Sequence, residues 1–161
     1  MDDAGAFVVG ESSYPDAMEQ RISLVTLGVS DVGRARGFYE RLGWHGQEVE
    51  ETVFFQTGGM GVVLWQQDQL AADAALEPLR GTGFRGFALA HNVRVKDDVD
   101  VVVAAAQAAG GTVTRAPAET FYGGYAGYFT DPDGHAWEIA YNPGFPLNDD
   151  GSLTIPDFGK P

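Results

Sequence analysis

Short runs of β-branched and aromatic residues alternate along the chain with two longer stretches whose apolar positions recur every three or four residues. Residues 22–29 are rich in Leu, Val, Ile and Thr, as in a buried strand, and Ser30 or Asp31 can cap a helix after it. Val32, Ala35, Phe38, Tyr39 and Leu42 share one face of that helix, and Gly43 supplies the left-handed residue that ends it. Strands are predicted at 47–50, 52–57 and 60–66, with Gly58-Gly59 as the tight turn between the last two. The order is βαβββ.

The same order is then written again. A strand at 86–93 precedes a second apolar stripe, Val99, Val102, Ala105, Ala106 and Ala109, closed by Gly110. Asp31, Val32, Ala35, Phe38, Tyr39, Leu42 and Gly43 align without a gap on Asp98, Val99, Val102, Ala105, Ala106, Ala109 and Gly110. Strands at 112–115, 124–130 and 135–141 complete the second module. The expected organisation is a flexible leader over 1–18, one folded domain over 19–143 and a tail of turns over 144–161. Within the domain, 19–66 and 86–143 are the modules. Residues 67–85 connect them through a short helix at 70–76, which Asp68 can cap and Pro78 ends. A helix that covers one face of each sheet leaves the other face wanting a partner. The expected fold is therefore α+β: two βαβββ modules forming a mixed curved sheet, helices on the convex face and a concave trough for a ligand.

Composition narrows the partners. With 44% hydrophobic residues and no apolar run of the ~20 residues needed to span a bilayer, the chain reads as globular. A formal charge of −13 opposes phosphate backbones and anionic lipid, so neither nucleic acid nor membrane is an expected partner. That charge serves solubility first, although it would also concentrate a cationic ligand. There is no cysteine, hence no thiolate ligand or nucleophile. The acidic start Met1-Asp-Asp-Ala leads into no apolar targeting segment, and a cytoplasmic location is expected.

Asp131-Pro-Asp-Gly134 is a turn by chemistry, because proline presets its second position and glycine accepts positive φ at the fourth. The hairpin around it, Gly127-Tyr-Phe-Thr-Asp-Pro-Asp-Gly-His-Ala-Trp-Glu138, resembles the vicinal-oxygen-chelate superfamily of glyoxalases, bleomycin-resistance proteins and extradiol dioxygenases. Val29-Ser-Asp-Val-Gly-Arg-Ala-Arg-Gly-Phe-Tyr-Glu-Arg-Leu-Gly-Trp44 resembles its first strand and helix. The likeness covers about residues 20–143 and implies a homodimer that binds a small molecule. Metal-using members carry a ligand on the first strand of each module, on the fourth strand of the first and on the last strand. Onto these positions fall Leu24, Ala88 (or Ala90), Leu64 and Glu138, so a carboxylate is retained at the last alone. One carboxylate cannot hold a divalent ion, and no cofactor is expected.

Strand alternation places Leu24, Thr26, Val62, Leu64, Ala88, Ala90, Asn92 and Glu138 along the trough, with His91 and Trp137 on the opposite side. His135 points away from Glu138, and His45 is a surface residue. Tyr122, Tyr125 and Tyr128, set among glycines, can add aromatic walls suited to planar or cationic ligands, and Trp65 and Phe55 can extend them. Two readings follow. The first is a binder that sequesters a small molecule in a mostly apolar trough. The second is an enzyme of the same superfamily, of lyase, isomerase or dioxygenase type, with Glu138 as general acid/base or as a ligand of a displaced metal.

Overall fold

Two four-stranded mixed sheets follow from the repeated pattern. In the computed structural model, which describes residues 18–159, the first module runs β1 (Leu24–Val29), α1 (Val32–Arg41), β2 (Gly46–Val49), β3 (Thr52–Thr57) and β4 (Met60–Gln66). A short α2 (Gln67–Asp73) leads to the second module: β5 (Ala88–Asn92), α3 (Asp97–Ala108), β6 (Thr112–Glu119), β7 (Tyr125–Thr130) and β8 (Ala136–Tyr141). The sheet orders β1-β4-β3-β2 and β5-β8-β7-β6 are equivalent, with the first pair parallel and the others antiparallel. The expected leader, residues 1–18, lies outside the described residues except for Met18.

The helix ends repeat the sequence logic with local differences. Asp31 caps α1 through its side chain, which accepts from Arg34 N at 2.8 Å. Gly43 and Gly110 end α1 and α3 at φ of 94° and 112°, where a Cβ would be strained. Asp98, which aligns with Asp31, lies inside the first turn of α3, where its charge favours the helix N-terminus. α2 begins earlier than expected: the side chain of Gln66, rather than Asp68, accepts from Gln69 N at 2.9 Å. The tail makes a turn over 148–151 and a bridge between Leu147 and Leu153, held by Arg94 donating to Asn148 O at 2.8 Å.

Alternation decides which strand faces are buried. Leu27, Val29, Val53, Phe55, Val62 and Leu64 of the first sheet and Phe129, Trp137 and Ile139 of the second belong to one core with α1 and α3. α1 reaches both inner faces: Tyr39 packs on Phe55 and Trp137, and Phe38 on Phe129. Polar ties cross the same boundary. Asp133 Oδ1 accepts from the backbone and the hydroxyl of Ser30, each at 2.9 Å, and Arg41 donates to Ala109 O at 2.7 Å. Among the described residues, no strand of one sheet pairs with a strand of the other, and no helix is long and apolar enough to cross a membrane.

Candidate functional site

Because neighbouring strands keep side chains in register, the outer face of the second sheet can be read across the ladder. Ala90 lies opposite Glu138, Glu138 opposite Tyr128, and Tyr128 opposite Arg115. The row Ala90–Glu138–Tyr128–Arg115 thus crosses all four strands, with small residues on either side of it: Ala88 and Ala136 toward one end, Asn92 and Ala140 toward the other. Glu138 and Tyr128 are half-buried, and the Arg115 guanidinium stands over the Tyr128 ring, 5.7 Å from its centre. The Tyr128 phenol holds its proton more tightly than an ordinary tyrosine. Partial burial is the larger cause and the neighbouring Glu138 carboxylate the next.

Arg115 did not follow from the sequence pattern. Strict alternation would place it beside Val113 on the inner face, yet the register shifts by one residue between Val113 and Arg115. This β-bulge turns the guanidinium outward onto Tyr128, and a second shift before Ala118 prolongs the strand to Glu119. The one hint in the sequence is a lone cation inside an otherwise uncharged run, Thr112-Val-Thr-Arg-Ala-Pro-Ala118.

The outer face of the first sheet carries Leu24, Thr26 and Gly28 from β1, Gly61, Val63 and Trp65 from β4, and Phe54 from β3. Leu24 is 53% exposed and leans so far over Gly61 that a Cβ there would stand 2.7 Å from its Cδ2. Two expected site residues lie elsewhere. Leu64 is fully buried in the core opposite Leu27 and Val53, as is Val62 opposite Val25 and Phe55. The outward positions of β4 are their odd-numbered neighbours, because a one-residue shift changes the face. Tyr125 faces α3, not the open side: its hydroxyl donates to Asp100 at 3.1 Å and the Lys96 ammonium lies over its ring. Tyr125 and Tyr128 are separated by an odd number of strand positions, which sets them on opposite faces. Tyr122 stands on the Tyr128 side, in the exposed β6–β7 loop.

The three histidines are apart from this row. His91 pairs with Ile139 on the inner side. His135 is buried, its Nδ1 donating to Asp131 Oδ2 at 2.8 Å. His45 is exposed beyond α1. Phe55 and Trp137 belong to the core, whereas Trp65 faces outward and donates from Nε1 to Gln69 at 2.9 Å.

A model of the Glyoxalase/Bleomycin resistance protein/Dioxygenase superfamily matches residues 21–139, which is the paired βαβββ body. The chain belongs to this superfamily. A glyoxalase-related enzyme from Fulvimarina pelagi is 36% identical, with a TM-score of 0.80 over 86% of this chain and 100% of that one. A glyoxalase/bleomycin resistance protein/dioxygenase family enzyme from Burkholderia phytofirmans PsJN is 26% identical, with a TM-score of 0.64 over 74% of this chain and 96% of that one. A lactoylglutathione lyase from Agrobacterium tumefaciens, 21% identical over 76% of this chain and 94% of that one, shares the fold at a TM-score of 0.58. No curated protein matches the chain.

The metal of the superfamily does not fit the residues present. β1 and β5 begin with Leu24 and Ala88 on their outer faces, and β4 presents Gly61, Val63 and Trp65 outward. Among the described residues no group of three or more His, Asp or Glu side chains converges as an ion would require. Glu138 faces Tyr128, with Arg115 on the far side of the phenol.

Proposed function

We propose that this glyoxalase-superfamily chain is a cytoplasmic small-molecule-binding protein that works without a divalent metal, using the outer face of the second sheet. The observation that carries the reading is the row Glu138–Tyr128–Arg115, one anion and one cation flanking a phenol, with Ala88, Ala90, Ala136 and Ala140 around Glu138. Alanines leave room for a flat ligand to lie against the sheet, Tyr122 and Tyr128 offer aromatic surface, and Glu138 accepts from a cationic or hydrogen-bond-donating group. Thr26 and Asn92 add polar edges.

A second copy of the chain completes the site in this reading. Both outer faces are turned away from the shared core, and α2 touches the first of them only at its Gly28–Trp65 end. Exposed apolar side chains on them, Leu24 at 53% and Phe54 at 36%, give a partner something to bury. Leu24, Thr26, Val63 and Trp65 of one chain would then face Glu138 of the other.

A panel of planar aromatic amines and cationic antibiotics, screened by thermal shift and titrated by calorimetry, tests the proposal. A hit whose affinity falls at least about tenfold in Glu138→Gln supports it, that being roughly the worth of one charge-assisted contact. Hits that bind Glu138→Gln and Arg115→Ala as well as the parent would remove this face from consideration. The contact of Glu138 with Tyr128 also favours a catalytic variant of the reading, in which the carboxylate takes a proton from bound substrate. Turnover of a bound hit, lost in Glu138→Gln with binding retained, would select it.

A further inference from the structure

On the other side of the second sheet the two helices differ in a way that leaves a space. α1 and α3 are copies, and where α1 carries Phe38, Tyr39 and Leu42, α3 carries Ala105, Ala106 and Ala109. The large side chains of α1 fill its surroundings. Ala105 does not, and a cleft of about 170 Å³, open to solvent past Val101 and Ala105, remains between α3, the C-terminal end of α1 and the inner face of the second sheet. Its walls are aromatic: Tyr39, Trp44 and Trp137, which pack on one another, with Ala105 and Val102 opposite. His91, exposed at the edge, is the group on its lining with an imidazole, and burial of part of that ring lowers its pKa, so it stands neutral near pH 7.

We propose that this cavity is a second binding site, separate from the outer face, for a single-ring aromatic molecule bearing one hydroxyl. An apolar space of about 150 Å³ accepts a benzene-sized guest, so the cleft has room for one ring. Aromatic walls favour edge and face contacts with a ring. A neutral imidazole gives a phenolic hydroxyl an acceptor, while the absence of any charged side chain on the lining disfavours an ionic guest. The site depends on the second module being the alanine-rich copy, since an aromatic at position 105 would occupy it.

Phenol is the probe, with benzene for comparison, followed through the indole N–H resonances of the three tryptophans. The expected result is saturable shifts at Trp44 and Trp137 with Trp65, on the outer face, unmoved. Ala105→Phe, which restores the α1 residue at the matching place, abolishes the shifts while the spectrum stays dispersed. His91→Leu, at the rim where folding is least at risk, keeps benzene binding and loses any preference for phenol over it. Non-saturable shifts, movement of Trp65 alone, or undiminished phenol binding by a folded Ala105→Phe protein would each overturn the proposal.

Discussion

The Tyr39 hydroxyl on α1 of the first module donates to Asp131 Oδ2, 2.7 Å away in the hairpin turn of the second. Asp131 is fully engaged there: its Oδ1 accepts from the backbone of Asp133 at 3.0 Å and of His135 at 2.9 Å, and its Oδ2 also takes the His135 Nδ1 proton. Trp137 Nε1 completes the chain by donating to the Tyr39 oxygen at 3.2 Å. One phenol therefore joins the module boundary to the turn that aims β8, and with it Glu138.

Tyr39→Phe removes this link inside the core and leaves Trp137 Nε1 without its acceptor. The expected loss is about 1–3 kcal/mol, the range for stranding a buried polar group. Urea unfolding followed by tryptophan fluorescence checks it, and an unchanged midpoint would show that this hydrogen bond adds nothing to what holds the two modules together.

Stability should also depend on pH at both ends. The Tyr39 phenol is raised far above its ordinary value, first by burial and then by the charge of Asp131. The folded state keeps this proton where the unfolded chain gives it up, so the unfolded state binds fewer protons above pH about 10 and stability falls as pH rises. Asp131 acts in the opposite sense. Burial pushes its carboxyl up, but the hydrogen bonds and charge of His135 with the Tyr39 hydroxyl prevail and hold it below the usual carboxylate range. Its contribution is present above pH about 4 and is lost as pH falls below that. Unfolding midpoints across pH should show both declines, with a shallower alkaline one in Tyr39→Phe.

Gly124→Ala tests the loop beside the site. A Cβ at this position would stand 2.4 Å from Tyr141 O and 2.5 Å from the Tyr122 ring. The carbonyl belongs to the sheet and cannot retreat, so the substitution should cost about 1–3 kcal/mol and displace Tyr122. A midpoint equal to the parent's would mean that the loop adjusts freely.

The sequence was most informative where a physical rule acts locally. Helix faces follow from spacing, the ends of α1 and α3 from Gly43 and Gly110, and the sharp turn from Asp131-Pro-Asp-Gly134, whose Gly134 N donates to Asp131 O at 3.0 Å. Faces of strands were harder, because one residue of offset reverses them. Alternation puts Leu64 on the open side and the glycine-flanked tyrosines suggest the same for Tyr125, yet both lie on the covered side. Arg115 was lost to a bulge, a feature set by pairing with β7 and invisible in the pattern of β6 itself.

Association should follow from the exposed apolar outer faces. The protein is expected to sediment as a dimer at micromolar concentration, and Leu24→Asp combined with Phe54→Glu to yield monomers with an unchanged far-ultraviolet spectrum. Both side chains are exposed in the single chain, so their replacement should cost little folding stability. A parent protein that sediments as a monomer at all concentrations would contradict the shared site.

If Glu138 works beside Tyr128 and Arg115 and not as the remaining ligand of an ion, the protein holds no equivalent of metal. Equilibrium dialysis of the purified protein and of Glu138→Gln against zinc, nickel, cobalt and ferrous ions, with metal counted per chain, tests it most directly. The expected result is substoichiometric metal in both proteins, with no difference between them. One equivalent per chain in the parent, lost in Glu138→Gln, would contradict it.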